Sequence, residues 1–168
     1  MNSERFWQLI DESRAAADSD PFEQSQQLTA ALADLPPEEI VDFDQLARDF
    51  QDRAYTADLW EACYVIEPGC SDDGFYAWRQ WLIGQGRAAF ERALARPDTL
   101  ADIVDADQES GFELLLGVAD EAYAQVTGGP LPYLLRPSAP LMEALHEDEE
   151  IFQRFPRLVA KFMHADDE

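Results

Sequence analysis

Apolar residues recur every three or four positions through most of the chain, and that spacing constrains the fold more than any other feature. One face of an α-helix repeats at about 3.6 residues, whereas a half-buried strand alternates at two. Phe6, Leu9, Ile10 and Ser13 share a side of a first helix that starts at Asn2 or Ser3 and runs to about Ala17, with Trp7 beside them. Asp20-Pro21 opens a second through Gln24, Leu28, Ala31, Leu32 and Leu35, and Pro36-Pro37 ends it, because a residue before proline avoids the α region. A third carries Ile40, Phe43, Leu46, Ala47, Phe50 and Ala54 behind Glu38-Glu39. A fourth, from about Thr56, holds Leu59, Trp60, Cys63, Tyr64 and Ile66 up to the Pro68-Gly69 break.

Ser71-Asp72-Asp73 restarts the chain into Phe75, Trp78, Trp81 and Leu82, where Gly84 and Gly86 bend the helix or end it. Pro97-Asp98 opens a short turn or helix to about Val104. The spacing from 109 to 127 predicts a helix that Gly128-Gly129-Pro130 stops. Met142, Leu145 and the acidic run Glu147-Asp148-Glu149-Glu150 lead to Phe152 and Phe155, and a last short helix is expected through Leu158, Val159 and Phe162. No sustained period-two alternation of β-branched residues interrupts this pattern. The expected fold is all-α: a compact single-domain helical bundle of about six to eight helices with an aromatic core. It spans 1–168, with 128–140 a Pro/Gly-rich loop and 166–168 a frayed tail.

Charge narrows the functions. Thirty-five acids against twelve bases leave −23, spread as −13 over residues 1–84 and −10 over 85–168. Nucleic-acid binding rests on releasing counterions to Lys and Arg, so direct binding of DNA or RNA is disfavoured. Anionic membranes repel the chain for the same reason. Three uses of the acidity stay open: solubility, salt adaptation, and an acidic face that steers a basic protein. The N-terminus carries no basic and apolar leader pattern, which points to the cytoplasm. Cys63 and Cys70 fit no metal or redox spacing and read as reduced thiols.

The motifs favour structure over chemistry. Ser71-Asp72-Asp73 has the residues of a helix cap, with a paired-carboxylate site as the alternative. Asp105-x-Asp107-x-Glu109 begins like a calcium loop, but Ser110 stands where the turn glycine belongs. Glu143-x-x-His146 has the spacing of a di-iron ligand pair without its second copy, and reads as a solvated helix face. No cofactor and no metal is implied. Trp60, Trp78, Trp81, Phe75 and Tyr64 are read as core, with a ligand pocket as the alternative. Arg79 and Arg87 are expected to satisfy internal carboxylates, Asp72 or Asp73 among them, or else to hold an anion.

Trp60, Ile66, Gly69, Ser71, Asp72, Asp73, Phe75, Arg79, Trp81-Leu82-Ile83, Gln85-Gly86-Arg87 and Phe90 resemble the central signature of an uncharacterised bacterial family, common in actinobacteria, labelled only as a domain of unknown function. Phe6-Trp7, Ala95-x-Pro97-Asp98-x-Leu100, Asp120-Glu121-Ala122-Tyr123 and Phe155-Pro156-Arg157-Leu158 extend the resemblance along the chain. It implies no activity, cofactor or partner.

The leading expectation is therefore a small acidic, non-enzymatic binding or regulatory protein, of inhibitor or immunity type, for a basic protein partner. One alternative is a small-molecule or metal-dependent enzyme with its pocket at Trp60, Ser71, Asp72, Asp73, Trp78, Arg79 and Arg87. Another is a nucleic-acid mimic.

Overall fold

Most of the longer helices begin where a short polar side chain or a proline marks the start. In a computed structural model, residues 1–105, 115, 117–136 and 143–163 are described. They hold nine α-helices and one 3₁₀ turn, and no strand among the described residues. The helices are α1 (Ser3–Ala16), α2 (Pro21–Ala33), α3 (Pro37–Arg53), α4 (Ala57–Ile66), α5 (Asp72–Gly84), α6 (Arg87–Ala95), α7 (Val118–Thr127), α8 (Asp148–Arg154) and α9 (Pro156–Phe162), with the 3₁₀ turn at Pro97–Asp102. Asn2, Asp20, Thr56 and Ser71 each accept a hydrogen bond from the backbone N–H three residues on, which satisfies a donor the helix itself leaves open.

The apolar faces converge on α5, which packs against α1, α3, α4 and α6. On one flank α7 lies across α2 and α3; on the other, α8 and α9 close over α4 and the 3₁₀ turn. Trp78, Trp81, Phe75, Phe6, Phe43 and Phe90 are all sealed from solvent. Phe6 stacks on Phe50 with ring centroids 5.1 Å apart, and Phe50 meets Phe90 edge-on at 5.6 Å. Such pairs add about 0.5–1.5 kcal/mol beyond the area they bury.

The Gly84–Gly86 break is a true stop and restart. Gln85 caps α5, and Gly86 adopts φ +94° with ψ 167°, a region essentially reserved for glycine. A Cβ at Gly86 would also collide with Asp11 Oδ1. That closeness has a use: Gly86 has no side chain to cap α6, so Asp11 of α1 accepts from the Arg87 N–H at 3.3 Å instead. Gln24 of α2 adds a second tie, donating to the Gly84 carbonyl at 2.9 Å.

Two expectations are corrected here. The helix expected over 109–127 is not continuous: Gly117 sits at φ +88°, where a right-handed helix cannot continue, and α7 starts at Val118; residues 109–114 and 116 lie outside the described residues. The Glu143–His146 stretch has no regular secondary structure, and α8 starts only at Asp148. Asp107, Glu109, 137–140 and the 166–168 tail lie outside the described residues as well.

Candidate functional site

The residues singled out from the sequence separate along α5. Ser71 is its N-cap, accepting from the Gly74 N–H at 3.2 Å, and Asp72 and Asp73 stand exposed in the first turn. Carboxylates there face the positive end of the helix dipole. Trp60 lies against this end, half-buried, stacked on Phe75 at 5.0 Å and donating its indole N–H to the Cys70 carbonyl at 3.1 Å. Trp78 is fully buried within the aromatic core. Arg87 is exposed beyond the far end of α5, about 20 Å from Ser71 at 1.5 Å per helical residue. The seven residues therefore line no common pocket. Ser71→Ala should cost about 1 kcal/mol, and Asp72→Asn with Asp73→Asn about 0.5–2 kcal/mol together, read by urea denaturation. A double variant more stable than the parent would mark these acids as strained rather than as capping.

Arg79 is buried, and it does not turn to Asp72 or Asp73. Its guanidinium donates to the Gln51 carbonyl at 2.7 Å and lies over the rings of Tyr55 and Phe75 at 4.7 and 5.0 Å. Burial pulls its pKa down, partly offset by Tyr55 and by Asp52. It braces α5 on α3 through a backbone oxygen and aromatic faces.

The structure brings together a different set, on α4. Glu61 is 0% exposed. Its Oε1 accepts from the His146 backbone N–H at 2.8 Å and faces His146 Nδ1 at 2.7 Å, while Oε2 pairs with Arg154, which also binds Asp58. Leu59, Ala62, Cys63, Val65 and Ile66 are the other buried residues of this helix and all are apolar, so position 61 is a core site given to a carboxylate. The expectation that Glu143-x-x-His146 forms a solvated helix face does not hold for His146. Nothing local marks Glu61 and His146 as partners, since 85 residues separate them.

A third cluster fixes the segment before α8. Arg136 donates to the Gln45 carbonyl at 3.3 Å and pairs with Asp49 at 2.5 Å and Asp52 at 3.1 Å, all on α3. The preceding side chains face outward: Tyr133 is 81% exposed and Leu135 90%. Only Leu131 packs on the core; the segment is held by Arg136.

Among the described residues one group has the donors of a metal site: Cys63, Glu67 and Cys70, whose ligand atoms lie within 4.8 Å of one another. Burial pushes the Glu67 carboxyl and the Cys63 thiol up, the latter reinforced by the Cys70 thiol.

The family model described as "Protein of unknown function (DUF4240)" matches residues 1–125. The chain belongs to this family. No curated protein and no solved structure matches it. The DUF4240 match ends inside α7, so Arg136, His146, Arg154, Arg157 and Lys161 all lie beyond it. Each nevertheless grips the matched part: Arg136 on Asp49 and Asp52, His146 and Arg154 on Glu61, Arg157 on Asp102, and Lys161 on the Ala101 carbonyl. Asp98 adds a cap, accepting from the backbone N–H groups of Arg157 and Leu158 at the start of α9. The described residues beyond the match, within the last quarter of the chain, are thus clipped to the DUF4240 body mainly by cations laid on its acids. No helix among the described residues is long and apolar enough to cross a membrane.

Proposed function

We propose that this chain is a non-enzymatic, cytoplasmic binding or regulatory module of inhibitor or immunity type, and that its partner is a basic protein. The observation that carries this reading is the pair Tyr133 and Leu135, held out at 81% and 90% exposure on a segment that Arg136 pins to α3. An exposed aromatic and an exposed aliphatic side chain, next to a residue pinned to α3, offer apolar contact area that a partner can bury.

The surrounding charge supports the partner's sign. Arg48, Arg53, Arg136, Arg154 and Arg157 are each laid on the chain's own carboxylates, and Arg79 is buried. Arg87, Arg92 and Arg96 also reach solvent, but thirty-five acids against twelve bases leave the outward field dominated by the acids. It attracts a basic surface and repels a second copy of a chain carrying −23.

The test is capture from a bacterial lysate on immobilised parent chain and on Tyr133→Ser/Leu135→Ser, followed by kinetics on the retained protein. The parent should hold a basic protein whose association slows steeply as salt rises, because screening shortens the field to about 8 Å at physiological ionic strength. Dissociation should respond far less to salt. The double variant should dissociate at least about thirtyfold faster, the scale of a lost anchor. An unchanged dissociation rate, or retention of acidic proteins only, would overturn the proposal. Turnover of a small molecule by the purified chain would replace it with the enzymatic alternative.

A further inference from the structure

We propose that Cys63 and Cys70 form a reversible thiol–disulfide pair, an oxidative modification site at the junction of α4 and α5, which takes a low-molecular-weight disulfide as its oxidant. The inference is independent of the partner proposal.

Geometry is the ground for it. The two Sγ atoms lie 2.7 Å apart, closer than unbonded sulfurs rest and near the ~2.05 Å of a disulfide. Tetrahedral zinc, with Zn–S bonds of about 2.3 Å, would hold them about 3.8 Å apart. Glu67 supplies only a third donor, so the sulfurs are placed for each other better than for a metal. The chain between them is a short turn in which the Cys70 N–H donates to the Glu67 carbonyl at 3.0 Å and Gly69 takes φ +83°. Cys70 is further fixed through its own carbonyl, which accepts from Trp60.

Access differs between the two thiols, and that sets the order of steps. Cys63 is sealed in the core; Cys70 is half-exposed. The Cys70 thiolate attacks one sulfur of the oxidant, giving a mixed disulfide and releasing the first small thiolate. Cys63 then loses its proton to the neighbouring Glu67 carboxylate and attacks the Cys70 sulfur, expelling the second small thiolate, and both leaving thiolates take up protons. Two protein thiols and one small disulfide become one protein disulfide and two small thiols. Burial disfavours the Cys63 thiolate, so Cys63 stays inert until the mixed disulfide sits beside it, and Glu67, within 4.8 Å, takes its proton as the new S–S bond forms.

The experiment treats the reduced, folded, full-length chain with oxidised glutathione and follows mass and thiol content. The parent should lose about 2 Da and show no thiol to maleimide after denaturation, with both restored by dithiothreitol. Cys63→Ala should stop at a glutathione adduct on Cys70, and Cys70→Ser should stay unmodified. The parent measurement decides the matter even if a variant fails to fold. A parent that stops at the adduct, or keeps two free thiols, would overturn the proposal. So would one equivalent of Zn(II) retained by the reduced chain and shielding both thiols, which would make the cluster a metal site.

Discussion

Arg154→Met should lower stability by about 3–5 kcal/mol, more than other changes to a surface-reaching side chain of this molecule. The reason lies in which partner is buried. Glu61 is sealed inside while Arg154 reaches partly into solvent, so removing the arginine strands a carboxylate away from water. His146 remains on Oε1, but Oε2 loses its counter-charge. The reverse change is milder. Glu61→Gln removes the buried charge, keeps an acceptor for the His146 N–H, and leaves Arg154 on Asp58. Its cost should be nearer about 1–2 kcal/mol, that of a charge-assisted bond replaced by a neutral one. Combining the two should recover much of the Arg154→Met loss, since the double variant buries no charge. For a chain of this length the single variant should melt about 6–20 °C lower. A shift of less than about 2 °C would show that Glu61 is served by solvent rather than by the C-terminal segment.

That network also marks where sequence reading stops. Ser71 as a cap, Pro21 at the start of α2 and the break at Gly84–Gly86 follow from chemistry within a few residues of each, and the structure has all three. The helical class follows from the same local periodicity. The Glu61–His146–Arg154 network depends on residues 85 and 93 positions apart. Its one local sign is an acid among the apolar residues of α4, and an isolated acid at such a position usually reads as the solvent face. Gly117 escaped for a related reason. Apolar spacing runs unbroken across it, and periodicity reports which face is buried, not whether the backbone continues. For Arg79 the sequence suggests a carboxylate partner, and the buried guanidinium has a backbone one. Its main-chain acceptor is the Gln51 carbonyl, and every residue carries one, so no side-chain pattern points to it.

Trp78→Ala should cost about 3–5 kcal/mol, the range for truncating a large aromatic in a core that cannot collapse around the gap. Trp78 is fully buried, with Phe75 at 6.0 Å and Trp81 at 5.8 Å between ring centroids. The comparison with Trp78→Phe separates a packing role from a pocket role. The indole N–H groups of Trp78 and Trp81 are buried and have no hydrogen-bond partner among the described residues. An unpaired buried donor is itself unfavourable, so phenylalanine surrenders some packing yet relieves that cost. Its net penalty should be under about half that of alanine. Were Trp78 instead a ligand platform, its N–H would be kept for the ligand. Phenylalanine would then leave the free chain's melting temperature nearly untouched, and alanine would cost far less than a core cavity does. Thermal melts of the two variants beside the parent decide this. A drop of under about 2 °C for Trp78→Ala would move Trp78 out of the core and return the aromatic cluster to the list of binding surfaces.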